Sequence, residues 1–205
     1  MPIVYSDLSV ELTLWEQGFK LICGVDEVGR GCFAGPVVAG AVLLSNDCEF
    51  PEGIADSKLL KPKVRKELEQ QIKGCALAWA IGEASVSVIN KIGIVQATQL
   101  AFAEAINKLL HKPDQILVDA FYISAFPKDI QHPIIGGDRM CSSIAAASII
   151  AKVYRDELME KLDNDFPGYA FAIHKGYGTK AHQNAIKAKG LSPLHRTSFN
   201  LQKFL

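Results

Sequence analysis

Residues 21–44 read LICGVDEVGRGCFAGPVVAGAVLL. An apolar run passes directly into Asp26-Glu27, meets Gly29, Gly31, Gly35 and Pro36, and resumes as a second apolar run rich in Val and Ala. This pattern predicts strand, turn, strand over about 20–27 and 36–44, with the two acids where the first strand ends. Adjacent carboxylates at a buried strand end are costly unless something positive pairs with them, and a divalent cation suits that role. Neighbours in a regular strand point to opposite faces. One shared site therefore requires the strand to end or twist at Glu27, which Gly29 and Gly31 permit.

The 205 residues fit one domain over 1–205, with an N-terminal helix at about 6–18, a core at about 20–165 and a helical C-terminal part at about 166–205. Hydrophobic content of 49% with 21% charged residues is that of a globular chain with a sizeable core. No run of about 18 uncharged apolar residues occurs, so no membrane span is expected. The start, MPIVYSDLSVELTLWE, lacks the basic opening and apolar block of a secretory signal. Cys23, Cys32, Cys48, Cys75 and Cys141 are odd in number and without C-x-x-C spacing. They argue against a disulfide framework or a zinc site and suit a reducing cytosol; a cytoplasmic monomer is the expectation. The net charge is zero, but its distribution is uneven. Lys58, Lys61, Lys63, Arg65 and Lys66 cluster without an acid, and from His174 to Arg196 every charged residue is basic, so a basic face is expected.

Leu8, Leu12 and Trp15 recur at helical spacing behind Ser6 or Asp7 as cap. A loop follows over 46–57. Pro62 opens a helix with Val64, Leu68 and Ile72 as its stripe. Leu77, Trp79 and Ile81 alternate as in a strand over 75–85. A long helix is expected over 93–110 with Val95, Leu100, Ala103, Ile106 and Leu110 inward. Gln115–Asp119 reads as a short buried strand ending on a carboxylate, and 121–137 as irregular with a strand near Ile134-Ile135. A strong helix covers about 140–163, its small residues suited to close packing on a sheet. A loop spans 166–177, and Thr179 caps a last helix that Gly190 ends. Strands and helices in this order predict an α/β sheet with helices on both sides.

Asp26, Glu27, Asp119 and Asp138 share one context: each stands at the end of an apolar strand or just ahead of a helix, beside glycine or a turn. Carboxylates at neighbouring strand ends can converge on one crevice. Such a set suits Mg²⁺ or Mn²⁺, and two such ions can activate a water and stabilise the leaving oxygen in phosphodiester cleavage. The plain alternative is that Asp26 and Glu27 form a solvated turn and that Asp119 and Asp138 are helix caps or loop acids.

The blocks GVDEVGRGCFAGPVVAGAVLL, ADSKLL, ILVDA, GGDRMCSSIAAASIIAKVYRDELM, HKGYGTKAH and LSPLHRTSF, in that order, resemble bacterial ribonuclease HII, the type 2 ribonuclease H. The resemblance runs from about residue 20 to 200. It implies a ribonuclease H-like fold, a mixed five-stranded sheet with helices on both sides. It implies cleavage of the RNA strand of RNA–DNA hybrids and nicking 5′ of ribonucleotides embedded in duplex DNA, leaving 3′-hydroxyl and 5′-phosphate ends. The family's four metal-holding acids match Asp26, Glu27, Asp119 and Asp138, with Asp26 and Asp119 central and Mn²⁺ or Mg²⁺ as cofactor. Gly29-Arg30-Gly31 matches the loop that reads the 2′-hydroxyl, the group that separates RNA from DNA. Tyr177 matches the tyrosine that packs on the deoxyribose after the junction. Lys58, Lys175 and Lys180 are candidate phosphate contacts, and Ser142 and Ser148 candidate donors to the site or backbone. Asp156 is a rival fourth acid whose simpler reading is an ion pair with a neighbouring Lys or Arg. His174, His182 and His195 lack metal-ligand spacing and are given no role.

Two departures stand out. Many relatives have Lys-Gly-Asp where this chain has Gly136-Gly137-Asp138, which removes a positive charge near the fourth acid. The sequence also stops soon after His195-Arg196, whereas some relatives carry a longer helical segment there. The tail SFNLQKFL reads as an amphipathic chain end, with a partner-docking motif as the alternative. Competing functions are another nuclease of the same superfold lacking the sugar-reading loop, and a binding module whose basic segments do all the work.

Overall fold

The computed structural model describes residues 5–205; the first four residues of the expected domain lie outside this range. One sheet carries five strands, β1 (Ile22–Val28), β2 (Val37–Leu44), β3 (Ala78–Ala84), β4 (Gln115–Asp119) and β5 (Gln131–Ile134), in the order β3-β2-β1-β4-β5. β1 to β3 form an antiparallel meander, and β4 and β5 add in parallel. The helices are α1 (Ser9–Glu16), α2 (Pro62–Cys75), α3 (Val86–Asn107), α4 (Gly137–Met140), α5 (Ser142–Asp165), α6 (Phe171–His174) and α7 (Lys180–Lys189). α3 covers one face of the sheet and α5 the other. That is the expected mixed sheet with helices on both sides. β2 is buried at every position, which is why VVAGAVLL reads as an unbroken apolar run.

Glycines set how closely the helices approach. A Cβ on Gly24 of β1 would overlap the Ser143 backbone, and one on Gly40 of β2 would overlap the Ala147 carbonyl. α5 meets them with Ser143, Ala146, Ala147 and Ala151, so its backbone lies almost on the strands. On the other face Gly82 of β3 stands against Ala101 of α3 in the same way.

The N-terminus of α5 is held by another helix. Glu11 of α1 is fully buried, and its Oε1 accepts from the Ser143 N–H at 2.8 Å and the Ser143 hydroxyl at 2.6 Å. That carboxylate satisfies one of the donors a helix start leaves free and complements the positive end of its dipole. Burial pushes the Glu11 carboxyl up, and the two Ser143 bonds oppose that.

Several expectations need correction. α1 is shorter than 6–18 and buries Glu11 and Leu14, while Leu12 lies out. Neither Ser6 nor Asp7 takes the cap position, although Asp7 Oδ1 accepts from the Ser9 N–H. α3 begins at Val86, seven residues early, because Ser85 caps it and the helix resumes past the non-helical Gly93. Its inward stripe is Ala97, Ala101, Phe102, Ala105 and Ile106; Val95, Leu100 and Leu110 are exposed. By length and composition α3 is apolar enough to cross a membrane, but here its small residues lie on the sheet. In β3 the inward residues are Ala78, Ala80, Gly82 and Ala84, and Trp79 faces out under Lys73. Val64 of α2 is exposed, while Leu68 and Ile72 are buried as expected. β5 ends at Ile134, and Ile135 is 86% exposed. The helix expected from 140 is two, broken at the extended Cys141, and the 166–177 loop contains α6.

The close approach of α5 to the sheet makes Gly40→Ala a direct test. Its Cβ can be seated only by moving backbone, so chemical denaturation should show a loss of about 1–3 kcal/mol or more. An unchanged midpoint would mean that the helix stands further off.

Candidate active site

β1 and β4 run in parallel with Val25 opposite Val118, so the next step of the register sets Asp26 beside Asp119. Even residues of β1 face α5: Gly24 lies under Ser143, and the Ser148 hydroxyl lies near enough to Asp26 to lower its carboxyl. β1 does not end at Glu27, as expected, but runs on through Val28. β4, however, ends at Asp119. At the level of Glu27 no neighbouring strand remains on that side, so its longer side chain can join Asp119 round the strand end. Repulsion from Glu27 and Asp119 raises the Asp26 carboxyl, and repulsion from Asp119 raises that of Glu27.

Asp26 is buried. Burial, then the charge of Glu27, holds its carboxyl well above the ordinary range. The Ser148 hydroxyl and the Glu27 N–H, which donates to Asp26 Oδ1 at 2.7 Å, pull the other way. Burial also raises Glu27, opposed by Arg30, whose Nη1 lies 3.1 Å from Oε1. Glu27 Oε2 is buried with no hydrogen-bond partner among the described residues. Asp119 Oδ1 accepts from the Gly137 N–H at 2.9 Å, which docks the turn carrying Asp138. The residue after Asp119, Ala120, takes φ 69°, a left-handed backbone that costs a non-glycine residue energy and turns the chain sharply away.

Asp138 lies in the single turn α4, buried, with its carboxyl raised first by burial and next by Asp56. Lys58 opposes this, its Nζ 3.9 Å from Asp138 and 3.8 Å from Asp56. Lys58 thus sets a positive charge beside Asp138, though Gly136 brings none. Gly136 itself is left-handed at φ 71°. Asp56 escaped the sequence reading. It is buried, accepts from the Lys58 N–H at 3.0 Å and faces Arg139 at 3.8 Å, so it holds Lys58 toward Asp138. The signal was available: an acid two residues before a singled-out lysine, in an apolar context.

The Gly29-Arg30-Gly31 loop adjoins the acids through the Arg30–Glu27 pair, and the Arg30 guanidinium lies over Phe121 at 4.9 Å. Gly29 is left-handed with the Arg155 side chain beneath it; a Cβ on Gly31 would meet nothing, so that backbone is open to approach. Two fully buried arginines hold the loop from below. Arg155 donates to the carbonyls of Ala34, Pro36 and Lys175, and Arg196 to those of Arg30, Gly35 and Pro36. Arg155 thereby ties the glycine loop to the segment of Tyr177. The Phe33 N–H reinforces it by donating to the Gly176 carbonyl at 2.8 Å. The Tyr177 ring is half-buried, with Lys152 at 5.6 Å and Arg155 at 5.9 Å. Neither arginine was assigned this task from sequence, where buried arginines look like surface charge.

Other candidates separate. Ser148, not Ser142, is the serine at Asp26; it also bonds Ser57 at 2.9 Å. The Ser142 hydroxyl faces that of Ser6 at 3.3 Å. Asp156 takes the ion-pair reading, with Lys152 at 2.6 Å and Arg65 at 3.4 Å. The basic cluster at 57–66 is largely neutralised: Arg65 is buried, Lys66 pairs with Glu157, and Lys63 lies 3.9 Å from Glu67. Lys175 pairs with Glu160 at 2.6 Å, whereas Lys180 is exposed at the start of α7 and makes no ion pair among the described residues. The tail folds back: Leu201 is buried and Phe204 rests on Phe33.

A raised carboxyl stabilises the fold while it stays neutral, and that contribution is lost as pH rises through the folded-state value. Asp26→Asn should therefore raise the melting temperature of the metal-free protein near neutral pH, and the gain should vanish near pH 4, where free carboxyls are themselves half neutral. A variant that melts lower at neutral pH would contradict the electrostatics described.

The ribonuclease HII family model matches residues 23–202. A curated ribonuclease HII of Dehalococcoides mccartyi is 47% identical over 191 residues, covering 92% of this chain and 90% of that protein. The fold is similar to that of ribonuclease H2 from Pyrococcus horikoshii OT3, with TM-score 0.71 and 23% identity over 90% of this chain and 96% of that one. It is also similar to Bst-RNase HIII solved in complex with Mn²⁺, with TM-score 0.67 and 21% identity over 90% and 68%. A sheet of this order, acids beside one another at its parallel strand ends, and a family match over nearly the whole chain agree: this protein belongs to the ribonuclease HII family, endoribonucleases that cleave the RNA of RNA–DNA hybrids.

Proposed function

We propose that Asp26, Glu27, Asp119 and Asp138 hold Mn²⁺ or Mg²⁺, and that the protein nicks duplex DNA on the 5′ side of an embedded ribonucleotide as well as cutting hybrids. The observation that carries this reading is the pairing of Arg30 with Glu27. It sets a glycine loop with open backbone directly beside buried, mutually repelling carboxylates. The donor set fits a hard cation: all-carboxylate, with Glu27 Oε2 buried and, among the described residues, unpartnered. Among the described residues no three acidic, histidine or cysteine side chains stand close enough to hold an ion between them. A hard cation of this class needs only one or two carboxylates at a time, and takes its other oxygens from water and from the substrate's phosphates. The Mn²⁺ in the Bst-RNase HIII structure supports the choice of ion class.

Held by these acids, divalent ions would supply an acidified water and charge stabilisation for the leaving oxygen. The chain's own groups prepare that chemistry. The Glu27 N–H fixes Asp26 Oδ1, and the Ser148 hydroxyl stands near the same carboxylate. The Gly137 N–H fixes Asp119, leaving its second oxygen unclaimed by that bond. Lys58 holds charge balance at Asp138 and offers its exposed amino group to a backbone phosphate. The backbone at Gly29-Arg30-Gly31 can approach a ribose closely enough to bond its 2′-hydroxyl. The Tyr177 ring, on the loop tied to it by Arg155, supplies an apolar platform for the next sugar, which lacks that hydroxyl.

Cleavage of a DNA duplex with one ribonucleotide should occur on its 5′ side in Mn²⁺ or Mg²⁺ and cease in EDTA. Asp119→Asn should reduce it by at least about a hundredfold while the duplex still binds. Binding without cleavage by folded wild-type protein would instead favour a non-catalytic binding module.

A further inference from the structure

Three histidines left without a part in the reaction lie buried together behind Tyr177. The His174 and His182 rings stack with centroids 4.3 Å apart and planes 15° apart, and His182 Nε2 faces His195 Nε2 at 3.1 Å. Their proton positions follow from their partners. His182 Nδ1 lies 2.9 Å from the Tyr177 carbonyl oxygen, which can only accept, so Nδ1 carries the proton and Nε2 a lone pair. His195 Nε2 must then donate to it. His195 Nδ1 is left as an acceptor, and the Ser192 N–H donates to it at 2.9 Å; the Ser192 carbonyl, at 3.3 Å, is the longer and weaker contact. His174 is settled likewise, donating from Nε2 to the Tyr169 carbonyl at 2.7 Å and accepting from the Gly176 N–H at 3.2 Å. Every ring is neutral and each bond has one direction: Ser192 to His195 to His182 to the Tyr177 carbonyl.

We propose that His182 and His195 are positioning residues for substrate choice: their one-way relay fixes the Tyr177 main chain, and with it the ring that meets the sugar after the ribonucleotide. This rests on the substrate reading given above. The Thr179 N–H also donates to the Tyr177 carbonyl at 2.8 Å, but it is local. The relay is the link that reaches the distant 192–196 segment, where Arg196 clamps the glycine loop. One chain of bonds thus joins the two halves of the junction-reading surface. Phe33 and Phe171 close the cluster on its apolar sides. The charged groups facing it are Asp163 and Lys175, both beside His174, and among the described residues no histidine pairs with a carboxylate. Burial holds His182 at about 4, so the relay stays neutral at ordinary pH. A proton on its Nε2 would set two N–H groups face to face. The folded value lies below the ordinary 6.5, so this stabilisation is whole above about 6.5 and is lost as pH falls from there through about 4.

The test compares wild type, His182→Ala, His182→Asn, Tyr177→Ala and the His182→Ala/Tyr177→Ala double on two substrates, a DNA duplex with one ribonucleotide and a uniform RNA–DNA hybrid. His182→Ala should lower the ratio of kcat/KM for the junction to that for the hybrid by about tenfold. Asn, whose Nδ2 can occupy the place of Nδ1 and still donate to the Tyr177 carbonyl but which has no acceptor in the place of Nε2 for His195, should restore only part of it. Tyr177→Ala should give the same loss, and the double no more than either. Equal losses on both substrates, or losses that multiply in the double, would overturn the proposal. Wild type that cuts the hybrid but does not nick the duplex with one ribonucleotide would overturn the substrate reading instead. The relay is then judged by ¹⁵N shifts in the wild-type protein, which also serve if His182→Ala does not fold. Unprotonated His182 Nε2 and His195 Nδ1 uphold it, and the reverse tautomers refute it.

Discussion

The near contact between helix α5 and strands β1 and β2 is the constraint on which the site depends. It exists because Gly24 and Gly40 have no side chain and α5 meets them with serine and alanine. Once the helix lies that low, successive turns of it take on different tasks. Ser143 receives Glu11 at the N-terminus, Ser148 reaches Asp26, Lys152 and Asp156 form the pair with Arg65, and Arg155 passes under Gly29. A helix standing at an ordinary distance would leave Asp26 without Ser148 and the glycine loop without its support.

The same arrangement carries an electrostatic cost. Asp26, Glu27 and Asp138 all have carboxyls raised by burial and by neighbouring acids, and Asp56 adds a further buried charge. The counter-charges are few and specific. Arg30 answers Glu27, and Lys58, held by Asp56, answers Asp138. At Gly136 the chain brings no positive charge, so Lys58 and Arg139 are the cations that act on the Asp138 carboxyl. Like charges left close together in a buried cleft are a stability deficit that a cation offsets, which is the usual relation between a functional site and the fold around it.

Much of this was legible in the sequence, for identifiable reasons. The four acids stood out because each ends an apolar strand or stands just ahead of a helix, and the parallel pairing of β1 with β4 then brings Asp26 and Asp119 together. The sheet itself was readable because its central strands are buried on both faces. Helix faces were harder. In α3 and β3 the closest packing is made by Ala and Gly, so the larger Val95, Leu100 and Trp79, which a hydrophobic pattern favours, are the residues left outside. Buried charges were harder still. Glu11, Arg155 and Arg196 look like surface residues until their partners are known, and those partners are backbone groups far along the chain. The basic cluster at 57–66 misled in the opposite direction, since its neutralising acids Asp156 and Glu157 lie about 90 residues downstream.

The central claim is that the buried carboxylates at the ends of β1 and β4 form a single cation site. The most direct test is a calorimetric titration of Mn²⁺ into the metal-free protein at mildly acidic pH, repeated in two buffers of different ionisation heat. A cation that replaces protons on raised carboxyls must release them. The account predicts binding with net proton release, weakened strongly by Asp119→Asn. No binding, or binding without proton release and indifferent to Asp119→Asn, would contradict it.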